Sequence, residues 1–207
     1  MRRESSTVVA AVGEVGEGLL DRLGRAPNVS VARARATEVG EAAEEPATVR
    51  PGWEAGAAAL REAARRQSTY VVVPDDPLAD VAQQWRTMWE VPGGSPGAAG
   101  FEQSAAGVLA AWRAKQFELP DYYLVMAATA QPGGTGPDLY LGPLRSARPR
   151  RVAVVGSADS LAAQAARVLD TLSSLAYGPW WPPLDELLGT ARHFYAGGLA
   201  ETQPTPA

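Results

Sequence analysis

Short apolar runs alternate with helix-like segments along this chain of 207 residues, and this alternation most constrains its fold. Apolar runs at 7–12, 70–73 and 151–156 are each followed by apolar residues three or four positions apart. Such runs favour buried strands, and such spacing favours helices with one buried face. Because parallel strands need crossover connections, we predict an α/β fold: a mostly parallel sheet with helices on both faces, in a Rossmann-like three-layer arrangement.

The remaining elements follow from the same patterns. Residues 28–35 alternate in polarity and predict an edge strand, and 121–128 predict a central strand. Two helical stripes, 78–89 and 101–112, lie between the third and fourth strands and predict extra helices there. Residues 139–141 suggest one further short strand.

The chain reads as one domain over residues 1–196. A stretch at about 37–52 is rich in Glu and poor in large apolar residues, which predicts a flexible insertion. Residues 197–207 are mostly polar and contain proline, which predicts a disordered tail. No signal-peptide pattern or long apolar span is found, so we expect a cytoplasmic protein that does not enter a membrane.

Composition narrows the chemistry available to the chain. It has no Cys, one His and one Lys, which excludes thiol and thiolate-metal chemistry and leaves few nucleophiles or bases. The 18 Arg and 21 Gly are typical of a high-GC bacterial composition, so single glycines are weak motif signals. The net charge of −4 argues against general nucleic-acid binding, because such binding requires an excess of positive charge. We therefore predict no catalytic residue, metal or cofactor from motifs alone.

Ligands of parallel sheets bind beyond the carboxyl ends of the strands, which directs attention to the turns there. The candidate cofactor-binding residues in those turns are Gly13, Gly16, Gly18, Asp75, Gly156 and Ser157. The first glycines are spaced G-x-x-G-x-G, not G-x-G-x-x-G, and Glu14 and Glu17 would repel a phosphate. A plain strand-to-helix turn is therefore the favoured interpretation of residues 13–18.

Two adjacent acidic residues and the single histidine are further candidates for chemistry. Asp75 and Asp76 could ligate Mg²⁺ at a strand end, but Asp76 before Pro77 is explained more simply as a helix cap. The sequence contains no nucleophile motif that His193 could activate as a base, so we interpret His193 as a surface or helix-end residue.

Four arginines crowd into the segment before the last predicted strand: Arg145, Arg148, Arg150 and Arg151. Guanidinium groups match phosphate oxygens, so this patch could bind phosphate, RNA or an acidic partner. The favoured alternative is a solvated loop in an arginine-rich chain, on the amino side of its strand.

Tryptophans supply the last signal. Trp85 and Trp112 fit a core, whereas Trp180 and Trp181, with Trp89 as a further candidate, could anchor a protein partner or self-association. The sequence thus predicts a non-enzymatic binding or assembly component acting through apolar and aromatic helical surfaces. The alternative is a Rossmann-like nucleotide-binding protein or enzyme that uses the strand-1 glycine turn and Asp75.

Overall fold

The fold is seen in a computed structural model that describes residues 6–34, 52–90, 95–127 and 138–202. Five strands lie within these ranges: β1 (Thr7–Gly13), β2 (Val29–Val31), β3 (Tyr70–Val73), β4 (Tyr122–Ala127) and β5 (Val152–Gly156). The α-helices there are α1 (Glu17–Gly24), α2 (Gly52–Ala63), α3 (Ala79–Glu90), α4 (Ser95–Arg113), α5 (Arg145–Ala147), α6 (Leu161–Ser173) and α7 (Leu184–Thr202). A π-helical turn, Tyr140–Leu144, runs directly into α5.

The strands form one parallel sheet in the order β2-β3-β1-β4-β5. In the central register, Val9 lies opposite Val72 on β3, and Ala11 lies opposite Leu124 on β4. This confirms the predicted parallel α/β fold, and α3 and α4 confirm the two helices expected between the third and fourth strands. The order differs from the 3-2-1-4-5 arrangement of dinucleotide-binding folds, because β3 is inserted between β1 and β2.

Helices cover both faces of the sheet. On one face α1 and α6 pack on alternate strand residues such as Val9 and Leu124. On the other face α3, α4 and α7 enclose Ala10, Tyr123 and a fully buried Trp85, and α2 covers the β3 end of the sheet. The period-two alternation of strand side chains therefore divides the apolar residues between two cores.

The prediction of a short strand at residues 139–141 is wrong, because these residues enter a helical turn. The Asp138 carboxylate accepts the backbone N–H groups of Tyr140 at 2.7 Å and Leu141 at 3.1 Å, which is the usual start of a helical turn. Pro143 follows within the same turn and has no N–H to give to a strand neighbour. The residues therefore coil into the π-helical turn.

Helix α6 begins after Ser160, whose side chain accepts the N–H of Ala163 at 3.2 Å. Helix α7 runs to Thr202, past the predicted end of ordered structure at residue 196. The insertion predicted at 37–52 falls almost entirely outside the described residues, as do positions 203–207 of the predicted tail.

Among the helices of the described ranges, none has both the length and the apolar character that crossing a membrane requires.

Candidate functional site

The predicted glycine turn lies at the carboxyl edge of the sheet. Backbone conformation and helix packing explain two of its three glycines, Gly13 and Gly18. Gly13 has φ +96°, and a Cβ there would approach the carbonyl oxygen of Met126 to 2.6 Å. Gly18 faces the side chain of Leu161 and sets the approach of α1 to α6. Gly16 precedes α1 in extended conformation, and a Cβ there would meet nothing within 4 Å. Of these three positions, 13 is therefore the one whose backbone conformation requires glycine.

Two acidic residues near this turn, Glu17 and Asp75, are already engaged. Glu17 forms an ion pair with Arg33 at 2.6 Å, between the start of α1 and the chain beyond β2. Asp75 accepts the backbone N–H of Ala34 at 3.0 Å, which ties the end of β3 to the end of β2. The carboxylate of Asp75 thus has a structural partner within the sheet.

Gly156 and Ser157 also lie at the carboxyl edge, at the exposed end of β5. The guanidinium of Arg167 donates to the carbonyl oxygen of Ser157 and, at 3.5 Å, to that of Gly156. The structure therefore brings all six candidate residues to one edge, as predicted. Their binding of a cofactor stays a prediction.

A buried carboxylate bonded by two phenols lies inside the same edge. Asp76 follows β3, is 4 % exposed, and accepts a hydrogen bond from Tyr123 of β4 at 3.1 Å. Its other oxygen accepts the hydroxyl of Tyr140, on the π-helical turn, at 2.6 Å. The cluster joins three segments that are far apart in the sequence, and the sequence interpretation of Asp76 as a helix cap missed it.

Burial sets the protonation of this cluster. Removal from water raises the pKa of Asp76 to about 6, although the hydrogen bonds from Tyr140, the backbone N–H of Leu78 and Tyr123 act in the opposite direction. Burial and the Asp76 charge raise the pKa values of both phenols well above their ordinary range, so they remain donors. The bond with Leu78 also shows that Asp76 does cap the turn leading into α3.

The arginine patch turns out to be an internal clamp. Arg151 is 6 % exposed, and its three guanidinium nitrogens donate to the carbonyl oxygens of Pro179, Asp121 and Gly178 at 2.6–2.8 Å. Arg148 donates to the carbonyl of Trp180 at 2.5 Å, and Arg150 to that of Tyr177 at 3.3 Å. Of the four arginines only Arg145 remains directed to the surface without such a carbonyl bond among the described residues.

The clamp also explains why the arginines are there. Residues 175–182 have no helix or strand and contain two prolines, so their carbonyls lack the backbone donors of regular structure. The arginines supply those donors. The guanidinium of Arg151 also lies over the rings of Trp180 and Tyr122, at 4.6 and 5.2 Å from their centroids. We refer to residues 177–183 as the clamped segment.

Two of the tryptophans considered as partner anchors are withdrawn from solvent, one fully and one in part. Trp181 is 5 % exposed, and its indole N–H donates to the carbonyl of Pro120 at 2.7 Å. Trp89 is half-buried and packs edge-on against Tyr195, with centroids 5.0 Å apart. Trp181 therefore cannot serve as an exposed anchor, because it belongs to the chain's own core. Trp180 is partly accessible.

Two adjoining cavities open at the amino edge of the sheet, opposite the edge that the sequence indicated. The first, which we call the amino-edge cleft, has a volume of about 720 Å³ and lies between the end of α2, the 115–121 connection and the clamped segment. The second, the tryptophan groove, has about 470 Å³ and is lined by Trp112, Glu118, Leu119, Trp180, Trp181, Pro182 and Pro183. Trp180 contributes to both.

Neither the single histidine nor the acidic residues form a metal site in the part of the chain that the structure describes. His193 is exposed on α7, and its Nδ1 lies 2.8 Å from the carbonyl oxygen of Gly189. Within the same ranges, no three His, Asp or Glu side chains gather closely enough to hold a metal ion.

Comparisons with family models, with curated proteins and with solved structures found no match to this chain. Its function is therefore argued from its own residues.

Proposed function

We propose that the protein is a non-enzymatic, cytoplasmic binding or assembly component that contacts a protein partner, or a second copy of itself, through the clamped segment. The single observation that carries this proposal is the arginine clamp. Guanidinium donors hold four consecutive carbonyls, from Tyr177 to Trp180, and leave Trp180 partly accessible at the rim of the tryptophan groove.

The exposure of Tyr177 in this segment also supports the proposal. The side chain of Tyr177 is 90 % exposed, which is unusual for a large aromatic residue that serves only its own fold. Tryptophan and tyrosine dominate the binding energy of protein interfaces, especially where the backbone is already ordered before association. A partner would therefore gain aromatic contacts without ordering a loop.

Affinity capture with three baits tests the proposal. The wild-type chain is compared with a Tyr177→Ser and Trp180→Ala double variant, and with Phe194→Ser as a matched control at a residue 40 % exposed on α7. We expect the wild type and the control to retain the same partner and the double variant to lose it. Light scattering over a range of protein concentrations separates a foreign partner from self-association. Equal capture or equal association by all three baits would refute the proposal.

Nucleotide binding at the carboxyl edge is the second candidate. It is favoured by the reversal of connections at β1, since the chain leaves β1 toward α1 on one face and leaves β4 toward the opposite face. Ligand crevices of open parallel sheets form at such reversals. A thermal-shift screen of nucleotides with Mg²⁺ tests it, because a ligand at 100 times its Kd adds about 2.7 kcal/mol of stability. Gly16→Ala is the variant to compare, as its Cβ meets no atom within 4 Å.

A further inference from the structure

The amino-edge cleft has the size and the apolar floor of a small-molecule site. Its volume of about 720 Å³ lies within the roughly 300–1,000 Å³ that ligand pockets occupy. Phe117 and Leu119, which are 5 % and 7 % exposed, line it together with Leu60. These side chains offer an apolar surface against which a ring or short chain could pack.

Cations surround this floor although the whole chain is acidic. Arg61, Arg66, Lys115 and Arg151 line the cleft, against two acidic residues, Glu118 and Asp121. The Asp121 carboxylate accepts the N–H of Val8 at 2.8 Å, so part of its charge is already compensated.

The cations differ in how they are engaged. Arg61 donates to the carbonyl of Gln116 at 3.0 Å and so joins the two walls of the cleft. Arg66 pairs with Glu62 at 2.9 Å, and Arg151 belongs to the clamp. Lys115 is exposed and has no ion pair among the described residues. Its amine is therefore available to a ligand.

The backbone of Lys115 gives a second, independent reason to single it out. It has φ +57°, and its N–H bonds to the carbonyl of Trp112 at 2.9 Å while that of Gln116 bonds to Ala111 at 3.0 Å. This left-handed position after a helix is one that glycine ordinarily fills, since other residues are strained there by about 1 kcal/mol. The chain has 21 Gly and one Lys, yet the lysine stands here.

Compensation of helix dipoles explains only part of this arrangement. Basic residues at helix C-termini are favourable, which accounts for Arg61 on α2. Helix α4, however, already has Arg113 in its last turn. A strained lysine two residues further on is not needed for that purpose, and strained positions concentrate at binding sites.

We propose that the amino-edge cleft binds an organic anion with an apolar or aromatic body. Its carboxylate, sulfonate or phosphate group lies beside Lys115 and Arg66, and its body rests on Phe117 and Leu119. This inference rests on Lys115, Arg66, Phe117 and Leu119, none of which belongs to the clamped segment, although Tyr177 and Trp180 of that segment also line the cleft.

Two dyes of matched shape test the inference. 1-Anilinonaphthalene-8-sulfonate has an aromatic body and one anionic group, and N-phenyl-1-naphthylamine has the same body without the charge. We expect the folded protein, checked by circular dichroism, to bind the sulfonate with one-to-one stoichiometry and more tightly than the uncharged dye. Fluorescence titration gives both Kd values.

Surface variants then locate the site. Lys115→Gln and Arg66→Gln should each weaken sulfonate binding about two- to fivefold, the range for one partly solvated charge pair, and leave the uncharged dye unaffected. Arg22→Gln is the matched control, because Arg22 is an exposed arginine in the last turn of α1 that does not line the cleft. Equal affinity for the two dyes, or sulfonate binding that Lys115→Gln leaves unchanged, would overturn the inference.

Discussion

The hydroxyl of Tyr140 donates to the buried carboxylate of Asp76 at 2.6 Å, across 64 positions of sequence. This bond ties the π-helical turn after β4 to the chain that leaves β3. Hydrogen bonds to charged groups contribute about 1.5–3 kcal/mol each. We therefore expect Tyr140→Phe to lower the free energy of unfolding at pH 7 by an amount in that range, measured by urea denaturation. Tyr177→Phe is the control, and a loss of similar size there would contradict the assignment.

The raised pKa of Asp76 makes a distinct contribution to stability. Its folded value of about 6 exceeds the ordinary 3.8, so the folded state binds this proton more tightly than the unfolded state does. Stability from this group is fully present below pH 3.8 and is lost as the pH rises through about 6. The total is about 3 kcal/mol, of which roughly 2 falls between pH 4 and 7.

Comparison with Asp76→Asn isolates this contribution. The variant lacks the titrating carboxyl, and the other acidic residues titrate in both proteins. We expect the stability of the wild type to fall relative to the variant by roughly 2 kcal/mol from pH 4 to pH 7. A difference between the two that stays constant over this range would show that Asp76 does not titrate as described.

The arginine clamp predicts that a conservative substitution is not tolerated. Lysine cannot reproduce the three-way bonding of Arg151 to the carbonyls of Pro179, Asp121 and Gly178. Arg151→Lys should lower the free energy of unfolding by about 2 kcal/mol or more, because buried carbonyls lose their donors. Arg145→Lys, in the same stretch of sequence but exposed, should change it by less than about 0.5 kcal/mol.

Alanine substitutions distinguish a glycine that the fold requires, Gly13, from one that it does not, Gly107. A Cβ at Gly13 would meet the Met126 carbonyl oxygen at 2.6 Å in a left-handed backbone, whereas one at Gly107 on α4 would meet nothing within 4 Å. We expect Gly13→Ala to destabilise the fold by about 2 kcal/mol or more. Gly107→Ala should stabilise it by up to about 1 kcal/mol through helix propensity. Thermal unfolding of both variants checks the contrast, and equal shifts would contradict it.

The sequence predicted secondary structure, which depends mainly on residues that are close together along the chain. The apolar runs and the alternation at 28–35 identified the five strands, with one further strand wrongly predicted at 139–141, and spacings of three and four identified the major helices. Both patterns reflect neighbours along the chain. The strand order could not be obtained in this way. Whether β3 lies beside β1 depends on the packing of helices from distant segments, and no short pattern encodes it.

The candidate site shows the same division. The glycines and Asp75 were expected at the carboxyl edge because topology alone places them there. The pairing of Asp76 with Tyr123 and Tyr140 was missed, since it joins residues 47 and 64 positions apart. The arginine clamp did leave a signal, because a proline-containing segment without regular structure needs external donors, and three of the four clustered arginines supply them.

The position of Lys115 has a practical consequence for chemical labelling. It is the only side-chain amine in the sequence, and it is exposed at the rim of the amino-edge cleft. Apart from a terminal amine, an acylating reagent therefore modifies the folded chain at this one residue. A fluorophore attached there would report on occupancy of the cleft, and a lysine-specific protease would cut the chain only between α4 and β4.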